Sequence, residues 1–224
     1  MKTNAFSIQI LVCLLFIGGL SNAFAQTFDI SSGGAPTITG ALSGSVTGSS
    51  SVTTNLTVTV NFGQVSPINT NNLIKVVVPI GIRSTAAYEV TATVTGSIDA
   101  NLQSIQGSDV GFGANNFRAM GNRAQVCSNS NHIFYTPFNN DPATTRTING
   151  TTGRAQYPST LNNIGVETTI LSGPRLTQGS ITPRATTNGY IFDTIFVITP
   201  QFYASGTASG TITFTISSGP NAPC

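Results

Sequence analysis

Residues that could carry out acid–base chemistry are few and scattered in this sequence. Its 224 residues include one histidine, His132, and seven aspartates and glutamates. A Ser-His-Asp site would have to use His132, because a neutral imidazole is the usual base near pH 7. No Gly-x-Ser-x-Gly motif is present to hold a nucleophilic serine on a turn. We therefore expect no catalytic residues and no enzyme activity.

Paired carboxylates could in principle hydrolyse a glycoside, with Glu89, Asp141, Glu167 and Asp193 as candidates. Glu89 and Glu167 occupy the outward, polar positions of alternating strand patterns, where a solvated carboxylate ordinarily lies. The segment Gly111–Gly113 begins like a phosphate-binding loop but lacks a third glycine, a following helix and a lysine. With no Cys-x-x-Cys motif either, the sequence predicts no metal site and no cofactor.

The densest aromatic run extends from His132 to Phe138. Exposed rings on the loops of a β-sandwich could stack on a sugar, so we identify His132, Phe134, Tyr135 and Phe138 as candidate ligand contacts. In the alternative interpretation, Phe134 and Phe138 fill the core. The sequence alone leaves both interpretations open.

An export signal precedes the rest of the chain. Lys2 is followed by the apolar run Ile10–Leu20, and Ala23-Phe24-Ala25 has the small-x-small pattern that signal peptidase recognises. We expect residues 1–25 to be removed and the mature chain to begin at Gln26. The apolar run is too short to span a bilayer comfortably and no second one follows, so we expect a secreted or cell-surface protein without a membrane span.

Two cysteines remain after this cleavage, Cys127 and Cys224. An exported protein with two cysteines usually pairs them, so we predict a Cys127–Cys224 disulfide. The bond would hold the C-terminal tail on the body of the protein, or Cys224 would reach a neighbouring subunit. Both alternatives stay open at this point.

The composition excludes some partners and favours others. Nine Lys and Arg residues face seven Asp and Glu residues, and only 7% of the chain is charged. So few positive charges, nearly balanced by negative ones, do not provide the basic surface that binds a nucleic acid. Abundant Thr, Ser, Asn and Gly suit strands and turns with a polar, uncharged exposed face.

Apolar residues recur at alternate positions, which is the period of a strand with one buried face. Turn-forming clusters such as Asn139–Pro142 and Ser172–Pro174 separate the patterns, and no convincing helical period lies between them. The pattern predicts an all-β fold, an antiparallel immunoglobulin-like β-sandwich, over residues 51–224. The predicted strands contain Val52, Leu56, Val58, Val60 and Phe62; Leu73–Ile80, ending or bulging at Pro79; Tyr88, Val90, Ala92 and Val94; Ile164, Val166 and Ile170; Tyr190, Phe192, Phe196 and Ile198; and Ile212, Phe214 and Ile216.

Two segments differ from this pattern. Residues 26–50 are rich in Gly, Ser and Thr and begin with Phe28 and Ile30. They are either loosely attached or supply a strand that completes a sheet, in this chain or in another copy. The stretch Ile98–Thr160 is irregular and rich in Asn, and we expect it to form long connections at one end of the sandwich.

Two motifs resemble a known group of exported proteins. Asn61-Phe62-Gly63 closes the clearest strand, and Asn188–Ile195 is similar to a Gly-x-Tyr-x-Asp approach to late strands. In these residues the chain resembles the spore coat protein U and chaperone-usher pilin-like proteins, although it has no cysteine near the start of its first strand. The resemblance implies an incomplete immunoglobulin-like sandwich that a neighbour's strand completes.

Two functions from different classes follow. The first is an exported, non-enzymatic structural or cell-surface protein, a subunit of a fimbria-like or coat-like assembly that adds strands from copies of itself or related subunits. The second is a secreted monomeric module that binds a carbohydrate or another ligand through the His132–Phe138 run. Multimers that resist denaturant would favour the first, and loss of glycan binding on replacing Tyr135 and Phe138 would favour the second.

Overall fold

The computed structural model describes residues 28–41, 43–49, 54–65, 73–95, 105–120, 132–177, 189–200 and 206–220. In residues 54–95 and 189–220, strands lie where the alternating apolar residues predict them. The strands are β1 (Phe28–Ser32), β2 (Thr37–Thr39), β3 (Ser45–Ser49), β4 (Asn55–Val65), β5 (Ile74–Ser84), β6 (Tyr88–Thr95), β7 (Val110–Ala119), β8 (Ile133–Phe134), β9 (Thr147–Ile148), β10 (Ala155–Gln156), β11 (Thr168–Gly173), β12 (Tyr190–Ile198) and β13 (Gly206–Ser218). One helical turn, α1 (Pro142–Thr145), and two 3₁₀ turns, Gly107–Asp109 and Leu161–Ile164, lie between them.

Two antiparallel sheets pack face to face and form the sandwich. Sheet A has the strand order β1-β5-β12-β7, with β2 also paired to β5, and sheet B has the order β3-β4-β13-β6-β11-β8. Strands β9 and β10 form a separate hairpin. The predicted all-β sandwich is confirmed. Among the described residues no helix is long and apolar enough to cross a membrane.

The core lies between the two sheets and follows the period of two along each strand. In β4 the inward residues Leu56, Val58, Val60 and Phe62 are at most 2% exposed. Strands β5, β12 and β13 contribute alternating residues in the same way. Within the core, the ring of Phe112 on β7 contacts Phe196 of the neighbouring strand β12 and Phe138, at centroid distances of 5.4 and 5.8 Å.

Threonine dominates the outer face of sheet B. Thr47, Thr59, Thr211 and Thr95 lie side by side on β3, β4, β13 and β6. The hydroxyls of Thr59 and Thr211 are 3.0 Å apart. Hydroxyls that bond across strands supply an uncharged polar face, which is the role we expected for the many threonines.

Pro79 was expected to end or bulge its strand, but β5 continues to Ser84. The reason lies in the strands beside it, because the pairing of β1 and β2 with β5 is interrupted between Ser32 and Thr37. The carbonyl of Pro79 accepts a hydrogen bond from Gly33 N–H in this interruption, at 2.8 Å. Pro79 has no N–H to donate, and it lies where the ladder between the arm and β5 is interrupted, so the strand can continue through it.

The stretch Ile98–Thr160 was predicted as irregular connections, and this is wrong for β7. Val110, Phe112 and Ala114 point inward and are fully buried. The outward positions between them are Gly111 and Gly113, so the strand lacked the polar alternation that marked the others.

A cover segment, Phe138–Thr160, crosses the outer face of sheet A. It begins and ends against β7, where Ala114 N–H donates to the Phe138 carbonyl at 2.7 Å and Phe112 N–H to the Ser159 carbonyl at 3.0 Å. A Cβ atom on Gly111 would lie 2.6 Å from the ring of Tyr157, and one on Gly113 would overlap the backbone of Asn140. Two glycines thus let the cover segment lie directly on the sheet.

The cover segment buries apolar residues that face away from the sandwich core. Ile195 and Val197 alternate with the core residues of β12, yet they are 3% and 0% exposed. They pair with Gly113 and Gly111 of β7, against which the cover segment packs. At the start of the segment Lys75 Nζ contacts Asp141 Oδ2 at 2.5 Å. Sheet A is therefore covered on both faces in this region.

The predicted strand through Ile164, Val166 and Ile170 begins later than expected. Ile164 lies buried in a 3₁₀ turn, and β11 starts at Thr168. Val166, between them, is 75% exposed. Asn163 closes the turn by accepting a hydrogen bond from Thr160 N–H at 2.8 Å, which ends the extended backbone on this side.

Candidate assembly interface

The N-terminal arm, Phe28–Ser49, runs along the open edges of both sheets. Its first two strands, β1 and β2, pair with successive parts of β5 at the edge of sheet A. Its third strand, β3, pairs with β4 at the edge of sheet B. An unpaired strand edge exposes a row of N–H and C=O groups that can template another strand. On this side of the sandwich, the arm occupies the exposed edges of both sheets.

Apolar side chains of the arm enter the core. Ile30 is fully buried opposite Ile82. Phe28, Ile38 and Val46 are partly buried and pack against the same core. The arm is therefore part of the sandwich. The described residues of the segment 26–50 form strands in both sheets and are not loosely attached.

A buried ion pair joins the arm to β5. Arg83 Nη1 lies 3.0 Å from Asp29 Oδ2, and the two side chains are 2% and 1% exposed. Arg83 also contacts Ser31 Oγ at 3.4 Å and Met120 Sδ at 3.6 Å. A buried arginine needs a counter-ion, so the cation on β5 specifies the carboxylate of the arm and, through it, the register of β1. Sequence patterns missed this pair, although two opposite charges flanked by apolar residues in a charge-poor chain were a usable signal.

Glycines permit the arm to lie close to the sheet. Gly33 lies against Gly81 of β5, and a Cβ on Gly33 would be 2.9 Å from the Gly81 nitrogen. Gly40 has a φ of 75°, and a Cβ there would overlap the carbonyl of Leu73. Gly33 therefore permits the close approach of the arm to β5, and Gly40 lets the arm turn between β2 in sheet A and β3 in sheet B.

The far edges of the sheets are covered differently. The outer edge of β7 bonds to the two ends of the cover segment. At the edge of sheet B, β8 has only two residues and is followed by a cis peptide bond between Thr136 and Pro137. Short strands and covering loops are common ways to block further pairing. On the other side of the sandwich, the arm itself covers β4 and β5, which have eleven residues each.

The aromatic run from His132 to Phe138 is divided between the interior and the surface. His132 stacks on Phe117 at 4.5 Å, and its Nδ1 lies 3.0 Å from the hydroxyl of Tyr88. Phe134 packs at the edge of Phe192, at 6.1 Å. Burial raises the pKa of Tyr88 well above its ordinary value, and the nearby Tyr190 phenol raises it further.

Of the four candidate ligand contacts, Phe138 is only 3% exposed, whereas Tyr135 is 37% exposed. The hydroxyl of Tyr135 is 3.1 Å from Ser172 Oγ. Phe134 and Phe138 thus pack with the core, as the alternative interpretation had it. Ligand contact by Tyr135 and His132 stays a prediction.

The four carboxylates considered for glycoside hydrolysis each have a separate partner. Asp193 accepts from Arg118 Nη2 at 2.9 Å and from Asn116 Nδ2 at 2.6 Å. Asp141 pairs with the lysine of β5 as described above. The other two accept hydrogen bonds from hydroxyls across strands, Glu167 from Thr91 at 2.7 Å and Glu89 from Ser217 at 3.4 Å. Their partners give all four a role in holding strands or loops together.

Other predicted features lie outside the described residues. These are the signal peptide over residues 1–25 and the predicted disulfide of Cys127 and Cys224. Within the described ranges, no group of three or more His, Cys, Asp or Glu residues could hold a metal ion.

Comparison with protein-family models, with curated proteins and with solved structures gives no match. The resemblance to spore coat protein U and pilin-like proteins therefore stays a prediction carried by the two sequence motifs.

Proposed function

We propose that the protein is an exported, non-enzymatic structural or cell-surface subunit that assembles with copies of itself by exchanging its N-terminal arm. One observation carries the proposal: the three strands of the arm, β1, β2 and β3, fill the edges of both sheets on one side of the sandwich. The same arm, seated on another copy, would join the two subunits through main-chain hydrogen bonds.

Exchange requires that the arm find the same contacts in either chain. The buried Ile30, the Asp29–Arg83 ion pair and the ladder with β5 are all contacts between the arm and the body. Each of these contacts can form within one chain or between two chains, so none is lost when arms are exchanged. A higher protein concentration then favours the assembled form.

Reciprocal exchange between two copies gives a closed dimer, whereas exchange in which each arm enters the edge of the next subunit is heterologous. Such a contact forms a ring if the rotation closes and a filament if it does not. A filament or a sheet-like coat is the assembly expected of a fimbria-like or coat-like subunit. An uncharged, hydroxyl-rich exterior such as the threonine face of sheet B suits a protein that works outside the cell.

The test uses single cysteines on neighbouring strands, in a chain whose Cys127 and Cys224 are replaced by serine. Thr47 of the arm lies opposite Thr59 of the body. A Thr47→Cys chain and a Thr59→Cys chain are unfolded together, refolded together and oxidised. If arms exchange, disulfide-linked dimers of the two chains appear on a non-reducing denaturing gel.

The matched control uses a pair within the body. Thr59 lies opposite Thr211 as well, on β13. A mixture of Thr59→Cys and Thr211→Cys chains gives no more than background dimer, because these strands belong to one body. A Thr47→Cys/Thr59→Cys double variant that closes only within its own chain, with no dimer from the mixture, would overturn the proposal.

A further inference from the structure

A polar cleft lies where the cover segment meets the start of β7. Its volume is about 310 Å³, within the size range of small-molecule sites. The 3₁₀ turn Gly107–Asp109 forms one wall and the β9–β10 hairpin forms the other. The side chains that matter for recognition are Ser108, Asp109, Arg154, Gln156, Tyr157 and Thr160.

An aromatic ring lines this cleft and is held in place from behind. Tyr157 packs against the backbone of Gly111. Its hydroxyl lies 2.9 Å from Thr199 Oγ1, which also accepts a hydrogen bond from Arg146 Nη1 at 2.9 Å. Burial is the main cause of a raised pKa for Tyr157, so the phenol stays neutral at physiological pH. The ring is thus an uncharged and fixed wall.

Opposite charges meet at the same place. Asp109 Oδ2 accepts a hydrogen bond from Gln106 N–H at 3.0 Å, which fixes the carboxylate. Its other oxygen, Oδ1, lies 3.5 Å from Arg154 Nη2, a long contact. Arg154 is about half exposed and Asp109 is nearly buried. The pair therefore presents a carboxylate acceptor beside guanidinium donors. Its net charge is close to zero, and both groups can form further hydrogen bonds.

The hairpin that carries Arg154 is ordered by its own turn. Asn149 Oδ1 accepts hydrogen bonds from Thr151 N–H at 2.9 Å and Thr152 N–H at 3.0 Å. Gly153, with a φ of 68°, closes the turn by donating its N–H to the Asn149 carbonyl at 2.7 Å. Within the described part of the chain, the side chains of Ser108 and Gln156 make no hydrogen bond, so they remain available to a ligand.

We infer that this cleft binds one unit of an uncharged carbohydrate. Two neighbouring hydroxyls of a sugar can donate to Asp109 and accept from Arg154 at the same time, which is what a paired acceptor and donor require. Hydroxyl and amide groups of Ser108, Gln156 and Thr160 can serve the remaining hydroxyls. The C–H face of a sugar ring can pack on Tyr157.

The lining disfavours other classes of ligand. An apolar ligand would bury the charged pair without replacing its hydrogen bonds, which is costly. A polyanion would meet the carboxylate of Asp109. The cleft also lies at the β7 end of sheet A, and the arm lies at the β5 end. Sugar binding is therefore independent of arm exchange and can hold or fail separately.

The experiment measures sugar binding by the mature chain, residues 26–224. A printed glycan array selects the sugars, and NMR titration of backbone amide signals follows the corresponding free methyl glycosides and short oligosaccharides. We expect dissociation constants on the order of 1 mM for single units, as befits a few hydrogen bonds in an open cleft. The amide signals of residues 107–109 and 149–160 should shift.

Two variants locate the site and one controls for stability. Arg154→Gln should weaken binding by about tenfold or more, because it removes charged donors. Gln156→Ala, at an exposed position, should weaken binding without affecting folding. Arg118→Gln removes a similarly exposed arginine from another ion pair, with Asp193, and should leave binding unchanged.

Three results would overturn the inference. The first is no binding to any neutral sugar on the array or in solution. The second is binding of unchanged affinity in both Arg154→Gln and Gln156→Ala. The third is binding confined to sulfated or phosphorylated glycans and abolished by salt, which would show a polyanion surface.

Discussion

The buried ion pair between Asp29 and Arg83 offers the sharpest test of how the arm is held. Replacing Asp29 by Asn keeps the shape of the side chain but removes its charge, and leaves a guanidinium that is 2% exposed without this carboxylate. Breaking one partner of a buried pair costs about 3–5 kcal/mol. The total stability of a domain is about 5–15 kcal/mol, so this loss is a large fraction of the whole.

Urea unfolding at low protein concentration, followed by circular dichroism, measures this loss as a shift of the midpoint at constant slope. The compensating variant is Asp29→Leu/Arg83→Met, which replaces both charges by apolar groups of similar size. We expect it to recover most of the stability, because exchange of a buried pair for apolar residues is often neutral or stabilising. With the single variants Asp29→Leu and Arg83→Met measured beside it, the double-mutant cycle gives the coupling energy of the pair, and we expect that energy to exceed about 3 kcal/mol.

The matched control is Arg118→Met, in a pair whose arginine is 40% exposed. We expect it to cost clearly less than Asp29→Asn, because solvent reaches Arg118 and Asp193 keeps its hydrogen bond from Asn116. A loss below about 1 kcal/mol for Asp29→Asn, with no coupling in the double variant, would refute the argument that Arg83 depends on the arm.

Three further predictions concern the close packing of the sheets, their hydroxyls and their buried phenols. Gly113→Ala places a methyl group on the backbone of the cover segment and should cost about 1–3 kcal/mol by urea unfolding. Above about pH 10 the unfolded chain loses a proton that Tyr88 keeps in the fold, so stability should fall as pH rises there. Tyr88→Phe should reduce that slope by up to about 1.4 kcal/mol per pH unit. A double-mutant cycle of Thr59→Val and Thr211→Val should give a coupling of about 0.2–1 kcal/mol across the strands.

Each of these predictions has a control in the same chain. Gly210 is also a strand glycine, but a Cβ there meets nothing closer than 3.7 Å, so Gly210→Ala should be close to neutral. Equal costs at Gly113 and Gly210 would contradict the packing argument. An alkaline slope that is identical in Tyr88→Phe would exclude the buried phenol as its source. Additive effects at Thr59 and Thr211 would mean that their 3.0 Å contact contributes nothing.

The sandwich itself was predictable because its strands alternate clearly. In β4 and β13, apolar residues occupy every second position and threonines most of the positions between them, so each strand's pattern identifies its own buried face. A local pattern of this kind needs no knowledge of the partner strand. The predicted polar outer face of sheet B follows from the same alternation.

Features that depend on two distant segments were not predictable. Pro79 stays within β5 because the arm interrupts its pairing opposite that residue. Gly111 and Gly113 hide the alternation of β7 because the cover segment needs their space. In each case the deciding contact joins residues at least 20 positions apart, which a window along the chain does not contain.

By itself the sequence determined the all-β class and the buried faces of the regular strands, because these depend on local composition and a period of two. For the same local reason it predicts an export signal. Tertiary structure decided which edges the arm fills, why Asp29 and Arg83 can be buried, and where Asp109 and Arg154 meet. Those features are pairings of residues that are far apart in the chain. Burial and electrostatic complementarity act only once the fold has brought the two partners together.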